Sequence, residues 1–123
     1  MTSKTVLVVD DEFHIVNVIS LKLKNARYEI VTASSGEEAL QRIAEAVPDL
    51  MITDFSMPGM NGMDLVKQVK GKSETSGLPV IMLTARGQIV EEEEGLAKID
   101  VLMSKPFSPK EILERVKGLV GEA

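Results

Sequence analysis

Apolar residues fall into two alternating patterns along this chain. Short continuous runs occupy positions 5–9 (TVLVV), 28–33 (YEIVTA), 50–53 (LMIT), 79–83 (PVIML) and 99–104 (IDVLMS). They are rich in Val and Ile and mostly do not alternate with polar residues, which predicts strands covered on both faces. Between them the period changes to that of a helix. Over 13–26, Phe13, Val16, Ile19, Leu23 and Ala26 recur at three- and four-residue steps and form one apolar stripe. Ser35-Gly36-Glu37-Glu38 reads as a capping box opening a second helix, with Leu40, Ile43 and Val47 facing inward. A third helix starts near Gly62 with Leu65, Val66 and Val69 as its stripe, and a fourth covers roughly 88–98. Ser108-Pro109-Lys110-Glu111 is a second capping box, with Pro at the first helical position, followed by Ile112, Val116, Leu119 and Val120.

Five strands alternating with five helices require right-handed parallel crossovers, with helices on both faces of the sheet. The pattern predicts an α/β, flavodoxin-like (βα)5 three-layer sandwich with strand order 2-1-3-4-5. In that order the crevice opens between strands 1 and 3, at their carboxyl ends. No repeat, low-complexity tract or linker interrupts the chain, so residues 1–123 read as one domain.

Composition narrows the chemistry. The chain has no cysteine, which rules out disulfides and thiolate metal sites and fits a reducing compartment. Its amino-terminal apolar stretch is too short for a signal-peptide core, and no run approaches a membrane span. A net charge of −5 and only four aromatic residues, one Tyr and three Phe, give nucleic acid neither attraction nor a stacking platform. The expectation is a cytoplasmic domain with no direct nucleic-acid or membrane partner.

The strand tips carry what remains. Strand 1 runs into Asp10-Asp11-Glu12, strand 3 into Asp54, strand 4 into Thr84-Ala85, and strand 5 into Ser104-Lys105-Pro106. Taken singly, each has an ordinary explanation: Asp11 as a helix cap, Asp54 as a turn residue, Thr84 as a strand-end hydroxyl, Lys105 as a surface charge. The fold, however, gathers Asp10, Asp11 and Asp54 on adjacent strands. Carboxylates ~4 Å apart repel by about 4 kcal/mol at an effective dielectric near 20. Such a cluster needs a positive neutraliser or a protonated member. A hard divalent cation suits an all-oxygen site, and Mg²⁺ suits it better than Zn²⁺ here. Lys105 is the second neutraliser, because strands 3 and 5 lie ~10 Å apart and only a long side chain spans that gap. A carboxylate beside a cation, a hydroxyl and a fixed ammonium matches phosphoryl transfer to Asp54.

The segments VLVVDDE (6–12), SGEEAL (35–40), PDLMITDFSMPGMNG (48–62), PVIMLTA (79–85) and SKPFSPKEI (104–112), in this order and spacing, resemble the receiver domain of bacterial two-component response regulators over essentially the whole chain. The resemblance implies a phosphorelay switch, the phosphoprotein of a two-component system, in which Asp54 accepts a phosphoryl group from a phosphohistidine. Its partners would be a sensor histidine kinase or phosphotransfer protein, and a downstream protein or output domain. Such a domain catalyses its own aspartyl phosphorylation and slow dephosphorylation while serving mainly as a switch. By the same carry-over, Asp11, Asp54 and the Ser56 carbonyl ligate Mg²⁺, with Asp10 acting through water. Thr84, the Ala85 amide and Lys105 hold the phosphoryl oxygens. The Lys105–Pro106 bond is expected to be cis, and Ser56 and Arg86 fall at positions that tune hydrolysis. The chain departs from the family at Leu102, where an aromatic switch residue is usual. It departs again at Ala97-Lys98-Ile99-Asp100, which replaces a Gly-Ala-Asp approach and is about one residue shorter. Both departures fall on the usual output face.

Two other classes compete. A receiver-like scaffold could recognise partners without phosphorylation, which Leu102 favours and the full Asp/Thr/Lys set disfavours. A flavodoxin-like FMN binder needs a Ser/Thr/Gly phosphate loop after strand 1, where this chain has Asp10-Asp11-Glu12. Glu91–Glu94 reads as a solvated face, His14 as a surface residue, and the seven methionines as core and loop filler, with Met57 and Met60 at the site mouth.

Overall fold

A computed structural model of the chain describes residues 3–85 and 99–123. In chain order these form β1 (Thr5–Val9), α1 (Phe13–Asn25), β2 (Glu29–Ala33), α2 (Gly36–Glu45), β3 (Leu50–Asp54), α3 (Gly62–Lys70), β4 (Val80–Thr84), β5 (Val101–Ser104) and α4 (Pro109–Val120). The helix expected over 88–98, the Glu91–Glu94 run and Arg86 lie outside the described residues. The five strands make one parallel sheet in the order β2-β1-β3-β4-β5, as the alternation of patterns predicts.

Alternate residues of the central strands feed two separate cores. Val6, Val8, Leu50, Ile52, Ile81 and Leu83 pack under α1 and α4, against Val16, Ile19, Leu23, Ile112 and Val116. Leu7, Val9, Met51, Val80 and Met82 pack under α2 and α3, against Ala39, Ile43, Leu65, Val66 and Val69. Burial of this kind stabilises by roughly 25 cal/mol per Å² of apolar surface removed from water. It also makes register unambiguous, since a one-residue slip would exchange the two cores.

Coverage on both faces holds for β1, β3 and β4 but not for the edges. In β2 only Ala33 is buried, and in β5 only Met103. β2 and β5 are the outermost strands of the sheet, each with a strand neighbour on one side only, so their side chains lie at the margin and meet solvent. Two stripe assignments also fail, both at helix ends. Phe13, the first residue of α1, is 77% exposed. Val47 lies past the end of α2, where Ala46 has turned extended, and is 54% exposed.

The caps hold with altered partners. Ser35 Oγ accepts from Glu38 N–H at 3.1 Å, but the Glu38 carboxylate accepts from Ser34 N–H rather than Ser35 N–H. Ser108 Oγ accepts from Glu111 N–H at 3.1 Å and donates to the Glu111 carboxylate at 3.4 Å. The reciprocal box sits on α3, where Asn61 Oδ1 accepts from Asp64 N–H and Asp64 Oδ2 from Asn61 N–H. That cap sets the direction in which α3 leaves the loop following Asp54.

Candidate functional site

Parallel pairing brings the strand tips level. Val9 stands opposite Thr53, Asp54 opposite Leu83, and Thr84 opposite Ser104. The next hydrogen bonds continue the ladder past the tips: Asp10 N–H donates to Ala33 O, Phe55 N–H to Leu83 O, and Lys105 N–H to Thr84 O at 2.7 Å. The functional side chains are therefore anchored by sheet geometry before any of them interacts. Asp54 is itself the last residue of β3, one place further along the strand than the apolar pattern indicates.

Lys105 crosses the tip of β4. Its Nζ lies 3.1 Å from Asp54 Oδ1 and 3.9 Å from Asp10 Oδ2. The Lys105–Pro106 peptide bond that follows is cis. Asp10 and Asp54 are buried, while Asp11 is exposed. Asp10 Oδ1 accepts from Glu12 N–H at 2.9 Å, and its other oxygen, Oδ2, is buried without a hydrogen-bond partner. Asp11 is not a helix cap, because the cap position of α1 is Glu12 and no side chain caps it.

The electrostatics follow from three carboxylates facing one ammonium. Burial, reinforced by the Asp54 charge and only partly offset by the Glu12 hydrogen bond and Lys105, pushes the Asp10 carboxyl up to about 6. Burial also raises Asp54; the hydrogen bond and charge of Lys105 pull against it, while Asp11 and Glu12 add to it. For Lys105, burial is the largest single influence and favours loss of the proton. The combined pull of Asp54, Asp10 and Glu12 overcomes it and raises the amine. Among the described residues, one lysine thus leaves the rim short of positive charge.

The donor set fits a hard divalent cation. One oxygen from each of Asp10, Asp11 and Asp54 falls within 4.8 Å of the others, within reach of a single hydrated ion. Asp10 Oδ2, which lacks a hydrogen-bond partner, supplies a buried acceptor that such an ion or its water would satisfy.

The remaining expected residues stand on the same rim. Thr84 ends β4, is buried, and donates its hydroxyl to Met103 O at 3.4 Å, a long and weak bond. Ser56 and Ala85 are exposed just past the ends of β3 and β4. Leu102 sits on edge strand β5, 49% exposed. His14 is on the surface, 3.5 Å from Glu12. Of the two methionines expected at the mouth, Met60 is partly exposed, and Met57, though largely buried in the core beneath α2 and α3, also lines the cavity beside Ser56. Sequence reasoning passed over two groups on the Asp54 backbone. Buried Thr53 donates its hydroxyl to Asp54 O at 3.0 Å, and Gly62 is packed closely against the same carbonyl. A hydroxyl at an otherwise apolar strand position was the one local signal for Thr53.

Comparison with known proteins agrees with this geometry. The family model for the response regulator receiver domain matches residues 6–117. The chain is 37% identical over 121 residues to the phosphate regulon transcriptional regulatory protein PhoB of Pseudomonas aeruginosa, covering 98% of this chain and 53% of that protein. It is 40% identical over 119 residues to the transcriptional regulatory protein ResD of Bacillus subtilis, covering 96% of this chain and 48% of that one. The chain therefore spans about half the length of the curated relatives it matches. Among solved structures, a putative response regulator from Chloroflexus aurantiacus superposes with a TM-score of 0.89 at 38% identity, covering 98% of this chain and all of that one. The chemotaxis response regulator CheY4 of Vibrio cholerae gives 0.86 at 33% identity, over 96% of this chain and 99% of that one. With its strand order, carboxylate rim and family match in agreement, this chain belongs to the response regulator receiver domains of two-component systems.

Proposed function

We propose that residues 1–123 act as one receiver unit in which Asp54 is the phosphoacceptor. A carboxylate oxygen of Asp54 attacks the phosphorus of a phosphohistidine on a sensor kinase or phosphotransfer protein. The new P–O bond forms as the P–N bond breaks; the P–N electron pair stays on the imidazole, which is protonated on its other nitrogen and leaves neutral, while the phosphoryl oxygens carry their negative charge across. The Lys105 ammonium, already 3.1 Å from Asp54, follows that charge. The Ala85 N–H and the Thr84 hydroxyl complete the cradle, the latter after releasing its long bond to Met103 O. Asp11, Asp54 and the Ser56 carbonyl would hold Mg²⁺, with Asp10 acting through water, and the ion would supply further positive charge to the same oxygens.

The observation that carries this reading is the close Lys105–Asp54 pair inside a rim that still has surplus negative charge. The same surplus argues against FMN, whose phosphate it would repel. The acylphosphate would act as a switch for a downstream protein or output domain in the cytoplasm, and the net charge of −5 favours a protein over nucleic acid as what the switched surface meets. Incubation with Mg²⁺ and acetyl phosphate, read by intact mass, tests it. We expect wild type to gain one phosphoryl group and Asp54→Ala to gain none. Wild type that gains none, or an equal gain in both, contradicts the reading. Leu102, exposed where an aromatic switch is usual, favours one alternative, a receiver-like module that binds partners without phosphorylation. Partner affinity that is the same with and without a phosphoryl mimic would support that alternative.

A further inference from the structure

Gly62 opens α3 and is buried. A methyl group on its α-carbon would meet the carbonyl oxygen of Asp54 at less than 3.0 Å. It would also meet Phe55 Cα at 3.0 Å and the Asp54 carbonyl carbon at 3.1 Å. All three neighbours are backbone atoms of Asp54 and the residue after it, so none swings aside as the end of a long side chain would. Adding the methyl requires α3 or the Asp54 backbone to withdraw by about 1 Å.

The Asp54 backbone is held from other sides as well. The Thr53 hydroxyl donates to Asp54 O at 3.0 Å, Phe55 N–H to Leu83 O at 2.8 Å, and Gly62 N–H to Phe55 O at 2.8 Å. From this packing we infer that Gly62, with Thr53, is a positioning residue: the bare α-carbon lets α3 close on the Asp54 carbonyl and so fixes the carboxylate against Lys105. The inference rests on the proposed role of Asp54 and adds how the fold keeps that side chain in place. Gly118 provides the contrast. It too lies within a helix, but a methyl group there meets nothing within 4 Å.

The test compares Gly62→Ala, Thr53→Val and Gly118→Ala with wild type in the full chain. Two quantities are read: the Asp54–Lys105 separation in crystals, and the phosphorylation rate per folded molecule at saturating Mg²⁺ and acetyl phosphate. In Gly62→Ala the 3.1 Å contact opens beyond about 4 Å. Its rate falls roughly 10- to 100-fold, as an ångström of misplacement warrants. Thr53→Val moves both readouts the same way by a smaller amount, and Gly118→Ala moves neither. A folded Gly62→Ala with the native separation or the native rate overturns the inference, even if its melting temperature drops, since that would be a merely structural role. Should Gly62→Ala fail to fold, Thr53→Val decides, and native values there overturn the inference. If wild type itself takes up no phosphoryl group, the reading of Asp54 fails, while the separation in Gly62→Ala still decides the positioning role.

Discussion

At the amino-terminal end of the sheet, Lys70 donates to the Leu78 carbonyl at 2.5 Å and lies 3.7 Å from Asp100. Asp100 in turn accepts from Val80 N–H at 2.7 Å, and at the same end of the sheet Asp49 accepts from Thr5 N–H at 2.7 Å. At the carboxyl-terminal end, Asp10, Asp11 and Asp54 share Lys105, and one buried oxygen has no hydrogen-bond partner. Both ends use the same residue types. The difference lies in completion. At the first end each of these charges meets a local partner: Asp49 holds the start of β1, and Lys70 with Asp100 ties the start of β4 to the approach to β5. At the second, burial raises two carboxyls, and among the described residues Lys105 only partly offsets it. A fold under selection for stability alone has no reason to keep that deficit, whereas a site completed by a cation and a phosphoryl group does.

Exchanging the two lysines is the sharpest way to break the comparison. Lys105→Met should slow phosphoryl uptake from acetyl phosphate by roughly 100- to 1000-fold, by loss of charge aimed at the transferring group. Lys70→Met should leave that rate unchanged and lower stability by about 2 kcal/mol in denaturant titrations, through its lost hydrogen bond and ion pair. Equal effects of the two on the rate would erase the distinction between the ends. Thr84→Ala comes next, with a loss of about tenfold in rate and under 1 kcal/mol in stability, since its bond to Met103 O is long. The smallest effect concerns Leu102. Structures with and without a phosphoryl mimic should show it in the same rotamer, with the change carried by loop and helix shifts elsewhere. A large Leu102 rotation between them would restore the usual coupling through this position.

Much of this was legible in the sequence because the sheet is parallel and central. Continuous runs such as LMIT and PVIML announce strands buried on both faces, and whatever follows such a run must emerge at the same rim. That logic located Asp10, Asp54, Thr84 and Lys105 together and gave Lys105 its reach. It failed where neighbours in space decide. The exposure of β2 and β5 depends on where the sheet ends, and counting a stripe through Phe13 and Val47 ignores where a helix starts or stops. The Asn61–Asp64 box follows the same three-residue spacing as the caps at Ser35 and Ser108, with Asn and Asp in place of Ser and Glu. Gly62 and Thr53 lacked a strong local signal. A close approach between a helix start and a strand carbonyl is a property of two backbones meeting, which composition does not record.

Stability measurements on Asp10→Asn, with and without Mg²⁺, test most directly whether the rim is charged in excess of what the fold needs. In wild type without metal, Asp10 is protonated in both folded and unfolded chains below its unfolded value near 3.8, so its burial then carries no charge penalty. As pH rises to about 6 and beyond, the folded chain is left holding the charge and loses about 3 kcal/mol, with Asp54 acting in the same direction. Asp10→Asn should remove most of that pH dependence, making the metal-free variant more stable than wild type at pH 8. Adding Mg²⁺ should reverse the order by stabilising wild type far more than the variant. A variant less stable than wild type at pH 8 without metal, or stabilised equally by Mg²⁺, would contradict the account.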